Sequence, residues 1–130
     1  MGKLQTSSVS EPKSIDEVIH FDLGDHSQES VIVLSGEGTF EIGEVLGVVT
    51  ASGKYAKYNN AAGDGRETAV AVSREAGDAT AADVPCVPVN KRVTTLIKGG
   101  LVFDAGQDQA AQDAAIADLE AIGFKVSIAI

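Results

Sequence analysis

Several residue types that carry chemistry in other proteins are scarce in this chain of 130 residues. Cys86 is the single cysteine, so no disulfide can form within the chain. A catalytic thiol would need a positioned base, and the two histidines, His20 and His26, are far away in sequence. We therefore expect Cys86 to be a small, buried apolar residue. There is no tryptophan, so the core has to rely mainly on Val, Ile, Leu and Ala.

Positive charge is also in short supply. The chain has 10 Lys and Arg against 19 Asp and Glu, which gives a formal net charge of -9. Nucleic acid and anionic membranes are themselves negative, so neither is expected as a partner. No run of eighteen apolar residues is present, and residues 1–6 lack the apolar stretch of a secretory signal. We expect a soluble protein that is made in a cytoplasm.

The chain divides into two parts by its apolar pattern. Residues 1–29 have no sustained apolar period, and residues 5–13 are rich in Ser, so this part is predicted to be a flexible N-terminal arm. Ser14 followed by Glu17 is the pattern of a short capped helical turn within the arm. Residues 30–130 are predicted to form one β-rich domain.

Short strands separated by turn residues dominate the first part of that domain. The predicted strands cover residues 30–34, 39–43, 44–50, 54–58, 68–72, 92–97 and 101–103. Gly47, inside an apolar strand, indicates a bulge or a close approach of another backbone. Pro85 and Pro88 confine residues 84–89 to a sheet edge or an irregular segment.

From Gln107 the apolar spacing becomes helical, and Gly123 is well placed to end the helix. The residues at helical spacing are Ala111, Ala115, Leu119 and Ile122. Residues 124–130 then alternate as a last strand. The predicted fold class is mainly β, with a compact barrel-like or sandwich-like body of short strands, one C-terminal α-helix and an extended N-terminal arm.

No group of residues predicts a metal site or a nucleotide site. His20 and His26, with Asp22 and Asp25 between them, have metal-ligand side chains, but their spacing matches no structural zinc pattern. A solvated segment of the arm is the expected reading. The Gly-rich residues 36–43 lack the Lys and Ser or Thr of a phosphate-binding loop, so they are predicted to form a turn between strands.

Catalysis is not predicted either. The carboxylates of Asp64 and Glu67 flank Arg66, but acid–base work requires a desolvated site, and this loop is expected to be wet. Serines occur in the arm without a nucleophile motif or a positioned base; they are Ser7, Ser8 and Ser10. The sequence therefore predicts a protein that is not an enzyme, with no catalytic, cofactor-binding or metal-ligating residues.

Two blocks of sequence resemble a known family. Residues 43–55 read Gly-Glu-Val-Leu-Gly-Val-Val-Thr-Ala-Ser-Gly-Lys-Tyr, and residues 64–69 read Asp-Gly-Arg-Glu-Thr-Ala. Both are similar, in order and spacing, to lambda-type bacteriophage head decoration proteins, the capsid-stabilising protein D family. Residues 114–124 are similar to the closing helix of that family. The resemblance covers about residues 30–130, but residues 84–103 do not align clearly with its pattern.

The resemblance implies a fold and a function. It implies a barrel-like β-tulip body without a catalytic site and an N-terminal arm that orders on the capsid. Such a protein is a homotrimer on the outer surface of the virion. It binds the major capsid protein at local three-fold sites of the expanded head and stabilises the head against internal DNA pressure. It is made in the host cytoplasm and needs no cofactor.

The main capsid contact is expected within residues 21–40. A strand that is apolar on both faces needs cover on both sides, because alternate side chains point to opposite faces. The body can cover one face and the capsid the other; alternatively, residues 31–34 are simply the first strand of the body. The candidate capsid-binding residues are Phe21, Leu23, Val31, Ile32, Val33, Leu34 and Phe40.

Two other functions remain open. A tail or fibre adaptor of the virion would share the acidic β character, but it should not show the two blocks of the family. A small carrier or accessory domain would place a modified lysine on a tight turn, as Lys54 is placed after Ser52 and Gly53. A mass added at Lys54 would identify a carrier.

Overall fold

The computed structural model describes residues 14–127 and is mainly β, with one helix near the C-terminus, as the sequence predicts. The strands are β1 (Ile19–Asp22), β2 (Gln28–Val33), β3 (Thr39–Phe40), β4 (Val45–Val49), β5 (Lys54–Lys57), β6 (Ala71–Ser73), β7 (Gly77–Asp78), β8 (Val84–Asn90), β9 (Thr94–Ile97) and β10 (Phe124–Ser127). The helix is α1 (Gln109–Ala121), and three 3₁₀ turns cover Ile15–Glu17, Gly24–His26 and Lys98–Gly100. None of the helices within residues 14–127 has the length and apolar character to cross a membrane.

Five strands close a barrel in the order β2-β5-β4-β6-β8. Of the two predicted forms of the body, barrel-like and sandwich-like, the chain therefore adopts the barrel. Apolar side chains from alternate strand positions fill its interior. The buried members of this core are Val31, Val33, Phe40, Leu46, Tyr55, Ala71, Ala79, Val87 and Val89. β3 pairs with β7 in a separate two-stranded sheet.

A second, smaller sheet and the helix pack against the barrel. The order of this sheet is β1-β9-β10, with β9 and β10 parallel. As the helical spacing predicts, α1 buries Ala111, Ala115 and Leu119. Asp108 caps the helix, because its carboxylate accepts a hydrogen bond of 2.9 Å from the Ala111 N–H. Val45 and Tyr58 belong to the same core as the helix, so a second core, separate from the barrel interior, lies between the barrel and the helix.

The segment before the barrel has more structure than its sequence suggests. Glu17 accepts a hydrogen bond of 3.0 Å from the Ser14 N–H, so the predicted capped turn is confirmed. β1 then pairs with β9, and the Val18 side chain is fully buried against that sheet. Residues 1–13 of the predicted arm lie outside the described residues. The boundary at residue 29 stays a prediction with regard to mobility, although residues 15–29 contact the body here.

Cys86 corrects a prediction, because its side chain is exposed and not buried. The pairing of β2 with β8 shifts between Val31 and Val33, so β8 carries one extra residue in a bulge. Cys86 lies in this bulge with a φ of 58°, beside Pro85, and the bulge turns it outward. Residues 84–89 are thus irregular, as one of the two alternatives had it. They pair with β2 on one side, and the register with β6 on the other side includes only Val89 of this segment.

Some predicted strands are shorter or absent. Residues 101–103 form no strand, because Val102 makes one isolated bridge with Glu44. β3 stops at Phe40 instead of extending to Gly43, and residues 68–70 precede β6 instead of belonging to it. The last strand is described to Ser127, and residues 128–130 of the prediction lie outside the described part.

Candidate binding surface

The seven residues predicted to bind the capsid differ sharply in burial. Three are exposed, with relative accessibilities of 53%, 47% and 42%: Phe21, Leu23 and Ile32. Three are buried in the barrel core: Val31, Val33 and Phe40. Leu34 is half-buried. The alternation of β2 explains the pattern, because its odd-numbered valines point into the barrel while Ile32 points to solvent.

Within residues 14–127, four of the five exposed large apolar side chains lie at one end of the β1-β9-β10 sheet. We call them the sheet-end surface: Phe21, Leu23, Val93 and Ile122, the last two 40% and 43% exposed. Asp22 and Phe124 both align with Thr94, so the neighbouring residues Leu23, Val93 and Gly123 come into one row. Val93 was not among the predicted contact residues, and Ile122 was predicted only as one of the apolar residues at helical spacing. Only the pairing of distant strands brings them together.

A buried serine fixes the geometry of that surface. The Ser27 hydroxyl accepts a hydrogen bond of 2.9 Å from the Leu23 N–H and donates one of 2.9 Å to the Val93 carbonyl. Ser27 is fully buried, so its hydroxyl ties the end of β1 to the start of β9 without water. These two hydrogen bonds therefore fix the backbone at Leu23 and Val93, whose apolar side chains are exposed.

Asp22, between Phe21 and Leu23, anchors β1 to the barrel. Its Oδ2 accepts hydrogen bonds from Gln28 Nε2 (3.1 Å), Arg74 Nη1 (3.0 Å) and Asn90 Nδ2 (2.9 Å), and its Oδ1 accepts one from the Gly24 N–H (3.1 Å). Burial alone would raise the pKa of Asp22, but these hydrogen bonds and the charge of Arg74 outweigh it, and the pKa is lowered.

The histidines near this anchor make no metal site in the described structure. His20 and His26 are both exposed, while the Asp22 carboxylate is occupied by hydrogen-bond donors. Across residues 14–127, no three His, Cys, Asp or Glu side chains stand close enough together to hold a metal ion. In this region the hydrogen bonds of Asp22 hold β1 in place, and the apolar side chains of Phe21 and Leu23 are exposed beside it.

Ile32, the third exposed candidate, lies apart from the sheet-end surface beside a groove of about 390 Å³. The groove is lined by Glu29, Ser30, Val31, Ile32, Ser52, Gly53, Lys54 and Tyr55. Lys91 covers the Tyr55 ring, with its Nζ 5.5 Å from the ring centroid, and forms an ion pair of 3.0 Å with Glu29. Lys54 is the lysine that would be modified if the protein were a carrier domain. Its Nζ forms an ion pair of 2.6 Å with Asp83.

The loop that carries Asp64 and Glu67 is held by ion pairs. Arg66 Nη1 lies 2.8 Å from Glu37 Oε2, and Arg66 Nη2 lies 3.1 Å from Asp64 Oδ2. The hydrogen bond from Arg66 lowers the pKa of Asp64. Glu37 also accepts a hydrogen bond of 2.9 Å from the Lys57 N–H, so one carboxylate fastens this loop to β5. The carboxylates of Asp64 and Glu37 support the loop, and the exposed Asp64 lacks the desolvated setting that an acid–base pair would require.

Glu44 is a buried acid that the sequence analysis overlooked. Its side chain is 3% exposed, and burial raises its pKa to about 7. Glu44 Oε1 accepts a hydrogen bond of 3.3 Å from the Glu41 N–H. The carboxylates of Glu41 and Asp104 also act on Glu44 and raise its pKa. Among residues 14–127 it belongs to no group of three possible metal ligands, so its expected effect is on the pH dependence of folding.

The comparison with protein families gives one match over most of the chain. A family model described as bacteriophage lambda head decoration protein D matches residues 8–124. The matched span takes in residues 84–103, whose alignment the sequence analysis left open, and it includes both surfaces described above. A comparison with curated proteins gave no match.

Proposed function

Because the chain belongs to the bacteriophage lambda head decoration protein D family, we propose that it binds the outside of the expanded phage head as a trimer and stabilises the head against internal DNA pressure. Capsid decoration and a place in the virion capsid follow from the family itself. The match over residues 8–124 is the observation that carries the proposal. The family is structural, and we propose that this chain has no catalytic activity.

The proposed partners are the major capsid protein and further copies of the same chain. The exposed apolar side chains support a protein partner, because they lose contact with water when another surface covers them. Burial of apolar area is worth roughly 25 cal/mol per Å², so each large side chain contributes a useful share of the affinity. The net charge of -9 argues against nucleic acid and anionic membranes as partners.

Phe21, Leu23 and Ile32 are the proposed capsid-contact residues among the seven candidates. Their side chains are available on the surface, whereas Val31, Val33 and Phe40 contribute to the barrel that presents them. In a trimer each contact occurs three times on one rigid particle. Weak docking of each copy then becomes tight binding through the high effective concentration of the remaining contacts.

The test compares two forms of the phage head. Purified protein is mixed with expanded, empty heads that lack it and, separately, with compact proheads, and co-sedimentation measures binding. We expect saturable binding to the expanded heads alone, density with three-fold symmetry at the local three-fold sites, and slower DNA release on heating of decorated heads. Equal binding to both forms, or bound density without three-fold symmetry, would contradict the proposal.

A further inference from the structure

One seam of the barrel, between β2 and β5, has the shortest register of its strand pairs. Among the described strands of the barrel, β2 and β5 are the only neighbours that run parallel, and their register contains the single pair Val33 and Tyr55. The Leu34 N–H donates a hydrogen bond of 2.8 Å to the Tyr55 carbonyl. On the N-terminal side of this pair the two strands diverge, and the groove beside Ile32 lies between them. The barrel wall is therefore open along the first part of β2.

The backbone of β2 presents hydrogen-bonding groups to this opening. The Lys91 N–H donates to the Ser27 carbonyl over 2.9 Å, which starts the alternation of the antiparallel pairing with β8. In such a ladder every second residue bonds to the partner strand, so Glu29 and Val31 face β8. The N–H and C=O of Ser30 consequently face the groove.

Pro88 supports this assignment independently. Pro88 stands opposite Ser30, and a proline can occupy that position because no N–H is needed between the two. Its carbonyl turns the other way and accepts a hydrogen bond of 2.9 Å from the Arg74 N–H. The pairing of β8 with β2 and the hydrogen bond from Arg74 to Pro88 therefore lead to the same result: the backbone N–H and C=O of Ser30 point away from β8.

The rest of the groove suits an extended chain. Val31 and Tyr55 are buried and form an apolar floor, and the exposed Ile32 side chain stands beside it. On the opposite wall, the Lys54 N–H is already bonded to the Ser52 hydroxyl over 3.2 Å. The side of β2 is therefore the wall at which an added strand would find backbone partners.

Charge narrows the kind of segment that fits. The ion pairs at the rim combine three cations, Lys54, Lys91 and Arg92, with two carboxylates, Glu29 and Asp83. The rim is thus slightly positive on a chain whose net charge is -9. A neutral or acidic segment is favoured there over a basic one.

We propose that the groove between β2 and β5 binds an extended, neutral or acidic segment of the capsid subunit as an added strand along β2. The Ser30 N–H and C=O bond to its backbone, and an apolar side chain of the segment packs on Ile32. The inference rests on the proposed function, and it adds the kind of segment that is bound. The sheet-end surface provides a separate contact on another face.

Amide exchange on the wild-type chain tests the strand directly. We expect the Ser30 amide to exchange rapidly in the free protein and to become protected on expanded heads. The Val31 amide, which faces β8, is the internal control and should be protected in both states. Unchanged rapid exchange at Ser30 while the protein stays bound to heads would overturn the inference and leave the proposed function intact.

A pair of variants provides the second test. Ile32→Asp should weaken binding to expanded heads by about tenfold or more, because it puts a charge where an apolar side chain packs. Ala117→Asp adds the same charge at an exposed position of α1 and should bind as the wild type does. Circular dichroism and thermal unfolding verify that both variants fold. Equal binding by the two variants would refute the groove, whereas failure of the wild type to bind expanded heads would refute the proposed function and the groove with it.

Discussion

Gly47 lies so close to the backbone of Arg66 that a Cβ atom on Gly47 would stand 2.6 Å from the Arg66 Cα and 2.7 Å from its carbonyl oxygen. The two residues come from the two separate blocks, residues 43–55 and 64–69, that carry the family resemblance. β4 and the loop that follows β5 therefore pack backbone against backbone. The predicted close approach at Gly47 is confirmed, and it explains why the two blocks occur together.

Replacement of Gly47 by alanine should destabilise the fold. The added methyl group meets backbone atoms that cannot rotate away, so we expect a loss of about 2–3 kcal/mol in the free energy of unfolding. Urea unfolding followed by circular dichroism measures the change. Gly63→Ala is the matched control, since a Cβ there would meet no atom within 4 Å. Equal midpoints for the two variants would contradict the close packing.

Asp22→Asn should weaken the attachment of β1. The amide group of asparagine cannot accept from all the donors that surround Asp22, so buried donors lose their partner, and we expect a cost of roughly 2 kcal/mol. Asp25→Asn, an exposed change of the same charge in the next turn, is the control. Thermal unfolding at pH 7 should separate the two variants; indistinguishable melting temperatures would show that the anchor contributes little.

The stability difference between the wild type and Asp22→Asn should also depend on pH. The pKa of Asp22 is lowered in the folded state, so its stabilising effect is present above its ordinary pKa of 3.8 and is lost as the pH falls through the lowered value. The difference between wild type and Asp22→Asn should therefore shrink as the pH is lowered through this range. Unfolding curves recorded at a series of acidic pH values measure it; a difference that stays constant would refute the assignment.

Glu44 should have the opposite effect. Burial raises its pKa from 4.5 to about 7, so the folded state binds this proton more tightly than the unfolded state does. Its contribution to stability is complete below about pH 4.5 and is lost as the pH rises through about 7. Glu44→Gln mimics the protonated form and should be more stable than the wild type at pH 8, by on the order of 2 kcal/mol.

The control for this prediction is Glu120→Gln, on the exposed side of α1. Between pH 5 and roughly pH 8, the interval in which Glu44 loses its proton in the folded state, the stability of Glu120→Gln should fall with pH as steeply as that of the wild type. The Glu44→Gln curve should be flatter than that of the wild type over the same interval. If the stability of the wild type does not fall in this interval, Glu44 is ionised without penalty and the prediction fails.

Amide exchange on the free protein tests where the arm ends. β1 pairs with β9 and Val18 is buried, so we expect the backbone amides of Ile19–Asp22 to exchange slowly. Exchange at the rate of an unstructured peptide through Asp22 would instead support the arm boundary at residue 29. The amides of β4, within the barrel, give the protected reference in the same sample.

The sequence by itself determined the features that depend on neighbours along the chain. α1 was predictable because Ala111, Ala115 and Leu119 repeat at helical spacing and Gly123 follows with a φ of 105°. β2, β4 and β5 were predictable because β-branched runs end at turn residues. The two family blocks were readable for a related reason, since each is a short, continuous stretch.

Tertiary structure alone decided which distant residues meet and which way they face. β1 pairs with β9 more than seventy positions later, which brings Leu23 to Val93, and the pairing of β10 with β9 brings Ile122 to the same surface. Cys86 is exposed because a one-residue bulge shifts the register of β8, and no local pattern marks the bulge as turning that side chain outward. Glu44 is buried where Val102 forms a bridge with it and the Ser73 N–H donates to its carbonyl, and both of these residues are distant in the chain. These outcomes depend on strand register, which is selected by the packing of the whole core and not by local propensity.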